Sequence, residues 1–255
     1  MRLFRKVLTG IGIGSARVDL VLAKSKFAAG ERITGELQIK GGILDQKVDQ
    51  VYLKLVLTSS FRKDKQVQQV TREFDHETLA AGFEIAAGGQ MQPIPVSYTL
   101  PEDIPVSTFS TKYYLVTGLD VAMAVDPKDN DLIEVLPGCR QAIVMQAIEK
   151  ELGFRRKQRT GEYNGRVQEF EYYPTSFMRG KLDELEVVYL PQRDGVRLYL
   201  QIDKKARGLI GLLASDWDLD ERHVSVLIPN GQITAPAEVA SRLADLLERE
   251  YRKIF

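Results

Sequence analysis

At 255 residues the chain is long enough for one large domain or two of ordinary size. Its 44% hydrophobic and 27% charged residues suit a globular protein with a real core, and 35 basic against 35 acidic side chains remove the net positive charge on which nucleic-acid affinity is built. A single cysteine, Cys139, excludes an internal disulfide framework and a cysteine zinc site, and it fits a reducing, cytoplasmic compartment.

The chain opens with Leu3, Phe4, Val7, Leu8 and Ile11 at helical spacing and Arg2, Arg5 and Lys6 on the other side. That pattern predicts a short amphipathic helix, ended by Gly10, Gly12 and Gly14. Its apolar run is too broken for a secretory leader, and no stretch of the chain is long enough to span a bilayer. The period then changes. Val18, Leu20 and Leu22 form one extended run, and Ile33, Leu37 and Ile39 a second, with turn chemistry at residues 28–31 and at Gly41 and Gly42. Val51, Leu53, Leu55 and Leu57 should point one way from a longer strand, and Tyr52, Lys54, Val56 and Thr58 the other. Further strands are expected at residues 67–74, 83–85, 94–100 and 112–125. Some seven or eight closely spaced strands without a helix between them predict an antiparallel sandwich.

Residues 126–131 (DPKDND) carry no apolar side chain except the proline and read as a linker. They divide the chain into a first domain over 1–127 and a second over 128–255. In the second half, Ile143, Val144, Ala147, Ile148 and Leu152 predict a helix within residues 140–152, with Gly153 just past its end. Strands are expected at 154–158, 167–173, 185–190, 196–202 and 223–228. Val239, Leu243, Leu246, Leu247 and Tyr251 predict a closing amphipathic helix over 235–251, with Thr234 before it as the cap.

No catalytic constellation survives inspection of its required positions. The two histidines, His76 and His223, stand in no H-E-x-x-H, and both read as surface residues rather than metal ligands. Cys139 reads as a small buried hydrophobe beside a helix start rather than a nucleophile. Gly10, Gly12 and Gly14 lack the third glycine of a dinucleotide loop, since Ser15 follows, and they precede a strand instead of opening a helix. Asp216, Asp218 and Asp220 open like a calcium loop, but Glu221 and Leu227 occupy its glycine and glutamate positions. The sequence therefore calls for no catalytic residue, no cofactor and no metal. Two basic clusters, Arg155, Arg156, Lys157 and Arg159, and Lys204, Lys205 and Arg207, could hold a phosphate or an acidic peptide, though charged faces are more often simply solvated. The N-terminal stripe of Leu3, Phe4, Val7 and Leu8 is a candidate contact for a partner or, with lower weight, for a membrane surface.

The segment IPVSYTLPEDIPVSTFSTKYYLVTGLDVAMAVD over residues 94–126 resembles the end of an arrestin-type N-terminal domain. Earlier pieces, FRKVLTGIGIGSARVDLVL, FAAGERITGELQIKGG and VDQVYLKLVL, agree with it. The start of the chain, and EFEYYPTSFMRGKLDELEVVY and IDKKARGLIGLLASDWDLDE in its second half, are similar to the bacterial sporulation-control protein M family. The resemblance implies a mainly β fold of two tandem arrestin-like β-sandwich domains and a regulatory, non-catalytic role in the cytoplasm. It supplies no catalytic residues. The expectation is a scaffold that binds protein partners through strand edges, concave faces or terminal helices, with self-association open to it and no nucleic acid among its ligands.

Overall fold

The computed structural model describes residues 15–63, 66–122, 125–203 and 224–254. The expected N-terminal helix, the glycines before Ser15, His223 and the acidic run at 216–220 lie outside them. The protein is mainly β, and the helices among the described residues lie in the second half of the chain. It divides into two compact units, the first comprising Met1–Thr58, Thr71–Pro101 and Lys112–Val135, the second Ser59–Val70, Glu102–Thr111 and Leu136–Phe255.

The first unit is built from β1 (Arg17–Leu22), β2 (Lys26–Ala28), β3 (Arg32–Lys40), β4 (Gln46–Lys63), β5 (Gln66–Ile85), β6 (Ile94–Thr99), β7 (Thr111–Val121) and β8 (Lys128–Leu136), save that Ser59–Lys63 of β4, Gln66–Val70 of β5, Thr111 and Leu136 fall in the second. One sheet has the order β1-β3-β6 and the other β2-β8-β7-β4-β5. Strand alternation places the core: Val51, Leu53, Leu55 and Leu57 are fully buried from β4, as are Tyr113, Leu115 and Leu119 from β7 and Ile33 and Leu37 from β3. The opposite face of β4 is half-buried at Lys54, Val56 and Thr58, as its pattern predicts. Tyr52 is the exception, because its ring lies over Gly118, where an added Cβ would stand 2.4 Å from ring atoms. Only glycine permits that approach. Side chains secure the β1 backbone: Ala16 N–H donates to Gln46 Oε1 at 2.8 Å and Leu20 N–H to Asp129 Oδ2 at 3.0 Å. These bonds occupy amides that an edge strand would otherwise leave unpaired.

Two expectations change here. Residues 67–74 and 83–85 are parts of one 20-residue strand, β5, in which Gly82 takes a left-handed φ of 70° without ending the strand. Of the stretch expected as a linker, Asp126 and Pro127 instead belong to a hairpin turn and residues 128–131 open β8. β7 and β8 pair antiparallel from Tyr113↔Ile133 to Gly118↔Lys128, Leu119 N–H donates to the Pro127 carbonyl at 3.0 Å, and Val121 N–H donates to Asp126 Oδ1 at 3.2 Å. Tight turns and linkers share their composition, and Pro127, just ahead of the strand, loses no ladder bond. The first unit runs on to Val135.

The second unit has one antiparallel sheet of β9 (Phe154–Arg156), β10 (Glu162–Tyr163), β11 (Gln168–Pro174), β12 (Glu184–Gln192), β13 (Gly195–Asp203) and β14 (Val224–Pro229), in the order β10-β11-β12-β13-β14 with β9 paired to β11. Its core joins Phe170, Tyr172, Leu185, Val187, Leu198 and Leu200 to Val144, Ile148, Val239, Leu243 and Leu247 from helices. The helices are α1 (Cys139–Gln146), continued by a π-helical turn at Ala147–Glu151, and α2 (Pro236–Ile254). Gly153 follows with φ 68°, the left-handed end expected there. Cys139 departs from its expected burial. It is exposed at the first position of α1, because Gln141, Val144 and Met145 take the interior stripe.

Candidate partner-binding surface

The basic run after the first helix separates in the structure into two kinds of side chain. β9 alternates, so Phe154 and Arg156 turn toward the core while Arg155 faces solvent. Arg156 Nε donates to Glu149 Oε1 at 2.8 Å, and its guanidinium lies 5.2 Å from the Phe170 ring centre. The Tyr172 hydroxyl, buried beneath, donates to the same Glu149 oxygen at 3.4 Å. Burial works against the Arg156 charge, but Tyr172 and Glu149 outweigh it and hold its pKa above the usual range. Lys157 is bound by Glu171 at 2.9 Å and by Glu184. Burial again pulls its pKa down, and the two carboxylates more than reverse that. Two of the four cations are therefore occupied in joining the helices and strands of this unit.

The other two remain outward, and each stands over an aromatic ring. Arg155 lies 6.0 Å from the ring centre of Tyr173 and Arg159 5.2 Å from that of Phe109. Phe109 is 68% exposed, unusual for so large an apolar side chain. A buried polar network fixes the loop that carries it. Thr108 and Thr111 hydroxyls each donate to the Gly161 carbonyl at 2.9 Å, and Gln168 Nε2 donates to that carbonyl and to Val106 O at 2.9 Å. Val106 N–H returns a bond to Gln168 Oε1 at 2.8 Å. With its own proton committed to Gly161, the Thr111 hydroxyl must accept from Ser59, 2.9 Å away, whose oxygen accepts from Tyr163 N–H at 3.1 Å. Gly161 has φ 86°, and a Cβ there would meet Thr108 Cγ2 at 2.3 Å, so the staple depends on glycine twice over.

A rigid loop presenting a solvent-exposed phenylalanine under an arginine has the composition of a protein-contact hot spot. The alternation of β9 was readable in the sequence, but Phe109 was missed. Its signal was a single aromatic in the run Ser107-Thr108-Phe109-Ser110-Thr111 after two prolines, a place where no core strand could use it. Of the other sequence candidates, Leu3, Phe4, Val7, Leu8, Lys204, Lys205 and Arg207 lie outside the described residues. His76 is exposed, 3.8 Å from Glu73. Among the described residues no group of three or more His, Cys, Asp or Glu side chains is placed to hold a metal, and no helix is long and apolar enough to cross a membrane.

Comparison with known proteins adds three findings. The family model described as SpoOM protein matches residues 4–206. The sporulation-control protein spo0M of Bacillus subtilis (strain 168) is 32% identical over 257 residues, which cover 98% of this chain and 99% of that protein. The crystal structure of Spo0M, sporulation control protein, from Bacillus subtilis is similar with a TM-score of 0.78 at 28% identity, across 94% of this chain and 100% of that one.

Proposed function

The chain belongs to the SpoOM protein family, and from that premise we propose that it is a non-catalytic protein of the cytoplasm that regulates by binding protein partners. Homology to a sporulation-control protein supports the regulatory role. The observation that carries the binding mode is Phe109, held exposed beneath Arg159 on a loop stapled to β10 and β11. A preformed aromatic anchor contributes affinity because little side-chain entropy is left to lose on docking. β5, at one end of the strand order, adds a backbone edge unpaired among the described strands, on which a partner peptide or a second copy could add a strand.

Affinity capture of the tagged protein from its own cell extract, run beside Phe109→Asp, tests this reading. A partner held by the wild type should be absent from the variant's eluate. Identical partner sets would overturn the role of Phe109, and an empty capture from a protein that turns over a metabolite would overturn the binding function.

A second reading is a membrane-peripheral adaptor anchored by Leu3, Phe4, Val7 and Leu8. It is favoured by the chemistry at the end of the first unit where residue 16 enters the fold.

A further inference from the structure

Four pieces of chain meet at one end of the first unit. β1 begins there, with Arg17 opposite Lys40 at the end of β3. The β3–β4 loop (residues 41–45) and the β5–β6 loop (86–93) are bonded to each other: Gly41 N–H donates to Gly89 O and Gly88 N–H to Gly42 O, both at 2.7 Å. The β7–β8 turn adjoins them through Ala122 N–H, which donates to Lys47 O at 3.2 Å.

This end is unusually apolar. Ile43, Leu44 and Val125 are 74%, 70% and 68% exposed. The β5–β6 loop, AAGGQMQP, has no charge at all. The two acids within the loops face backbone amides, Asp45 accepting from Ala87 N–H at 2.7 Å and Asp126 from Val121 N–H at 3.2 Å. Further acids, Asp49 and Asp120, stand on the strand bodies. Around the loops are Arg17, Lys40, Lys47 and Lys128, all exposed and none with an ion-pair partner among the described residues. Like charges directly opposite on a sheet, as at Arg17 and Lys40, destabilise it unless an anion lies over them.

We propose that this end of the first unit is an interfacial anchor that inserts Ile43, Leu44 and Val125 into an anionic bilayer while the collar of Arg17, Lys40, Lys47 and Lys128 meets the lipid phosphates. The inference rests on the membrane-peripheral reading and moves its anchor from the N-terminal segment to the folded unit. A protein partner fits less well, because the loops offer no aromatic anchor for specific recognition and their two acids are taken up by backbone amides.

The test is co-sedimentation with vesicles of phosphatidylglycerol and, separately, of phosphatidylcholine, using the full chain and its variants Ile43→Asp/Leu44→Asp, Lys40→Glu/Lys47→Glu and Phe4→Asp. The wild type should pellet with the anionic vesicles only. Loss of two inserted side chains should weaken partitioning roughly 10- to 100-fold, and reversal of two lysines by at least about 10-fold with a shallower salt dependence. The first variant's melting temperature should be unchanged, since neither side chain packs in the core. If Ile43→Asp/Leu44→Asp pellets like the wild type while Phe4→Asp does not, the loop anchor is wrong and the membrane-peripheral reading stands. If the wild type pellets with neither vesicle, both fail. If sedimentation velocity shows a wild-type dimer that Ile43→Asp/Leu44→Asp dissolves, and vesicles bind nothing, this end is a self-contact and the lipid proposal is overturned.

Discussion

The two units solve the same problem of holding strands together by different means. The first depends on apolar alternation: β3, β4 and β7 bury mostly valine, leucine, isoleucine and tyrosine, with Thr117 a buried polar member of β7, and ion pairs such as Lys26–Glu134 sit on the exposed surface. The second inserts polar locks between its layers and loops, with Arg156, Glu149 and Tyr172 at one point, Lys157, Glu171 and Glu184 at another, and the Ser59–Thr111–Gly161–Gln168 network at a third. Exposed ion pairs contribute little, whereas buried polar groups fix geometry strongly once every member is satisfied. Charge near the surface of the first unit is therefore available for binding, and much of the charge in the second is already used.

The largest expected effect is on the apolar side of that contrast. Leu53→Ala removes a fully buried side chain from the middle of β4 and should cost about 2–5 kcal/mol, read as a shift in the urea midpoint. A loss under about 1 kcal/mol would mean that the first unit does not owe its cohesion to this core.

The next effect tests the polar side. Thr111→Val keeps the shape but removes the hydroxyl through which Ser59 is connected to the Gly161 carbonyl. It should cost about 1–2 kcal/mol and speed proteolysis within residues 102–110, the loop that presents Phe109. No change in cleavage would show that the network is not what fixes the loop.

This contrast also explains what was legible in the sequence. The β-rich class, the strands of the first unit and both helices of the second follow from period, and period is local. The hairpin at Asp126 was not, because a turn and a linker carry the same residues and only the pairing of Tyr114 with Leu132 separates them. The basic run was visible as charge, but its division into occupied Arg156 and Lys157 and outward Arg155 and Arg159 depends on Glu149, Glu171 and Glu184, 7 to 27 residues away. Phe109 lay in plain sight, and its exposure is a fact of long-range folding. The apolar end of the first unit is similar, since Ile43, Leu44 and Val125 come together only through three separate connections.

The smallest effect is absent at neutral pH and sharpens the comparison from another direction. Burial pushes the Tyr172 and Tyr189 hydroxyls above their ordinary range, with Glu149 and Asp103 adding to it, and the bonds Lys157 donates to Glu184 and Glu171 outweigh its burial and hold it above its own. In each case the folded state keeps a proton that the unfolded chain gives up first, so the folded form binds more protons once the pH exceeds about 10. Stability should then fall as the pH rises through that window, and no such slope should appear below it. In the first unit Tyr52 is shifted in the same sense, with burial as the largest cause. Thermal melting between pH 9 and 11 should therefore show a steeper decline in the wild type than in Tyr172→Phe or Lys157→Met, each of which removes one titrating group. Tyr52→Phe should flatten the slope less than Tyr172→Phe, whose hydroxyl is the more deeply buried. If Tyr52→Phe flattened it more, alkaline sensitivity would belong to the apolar unit, and the assignment of the polar locks to the second would have to be abandoned.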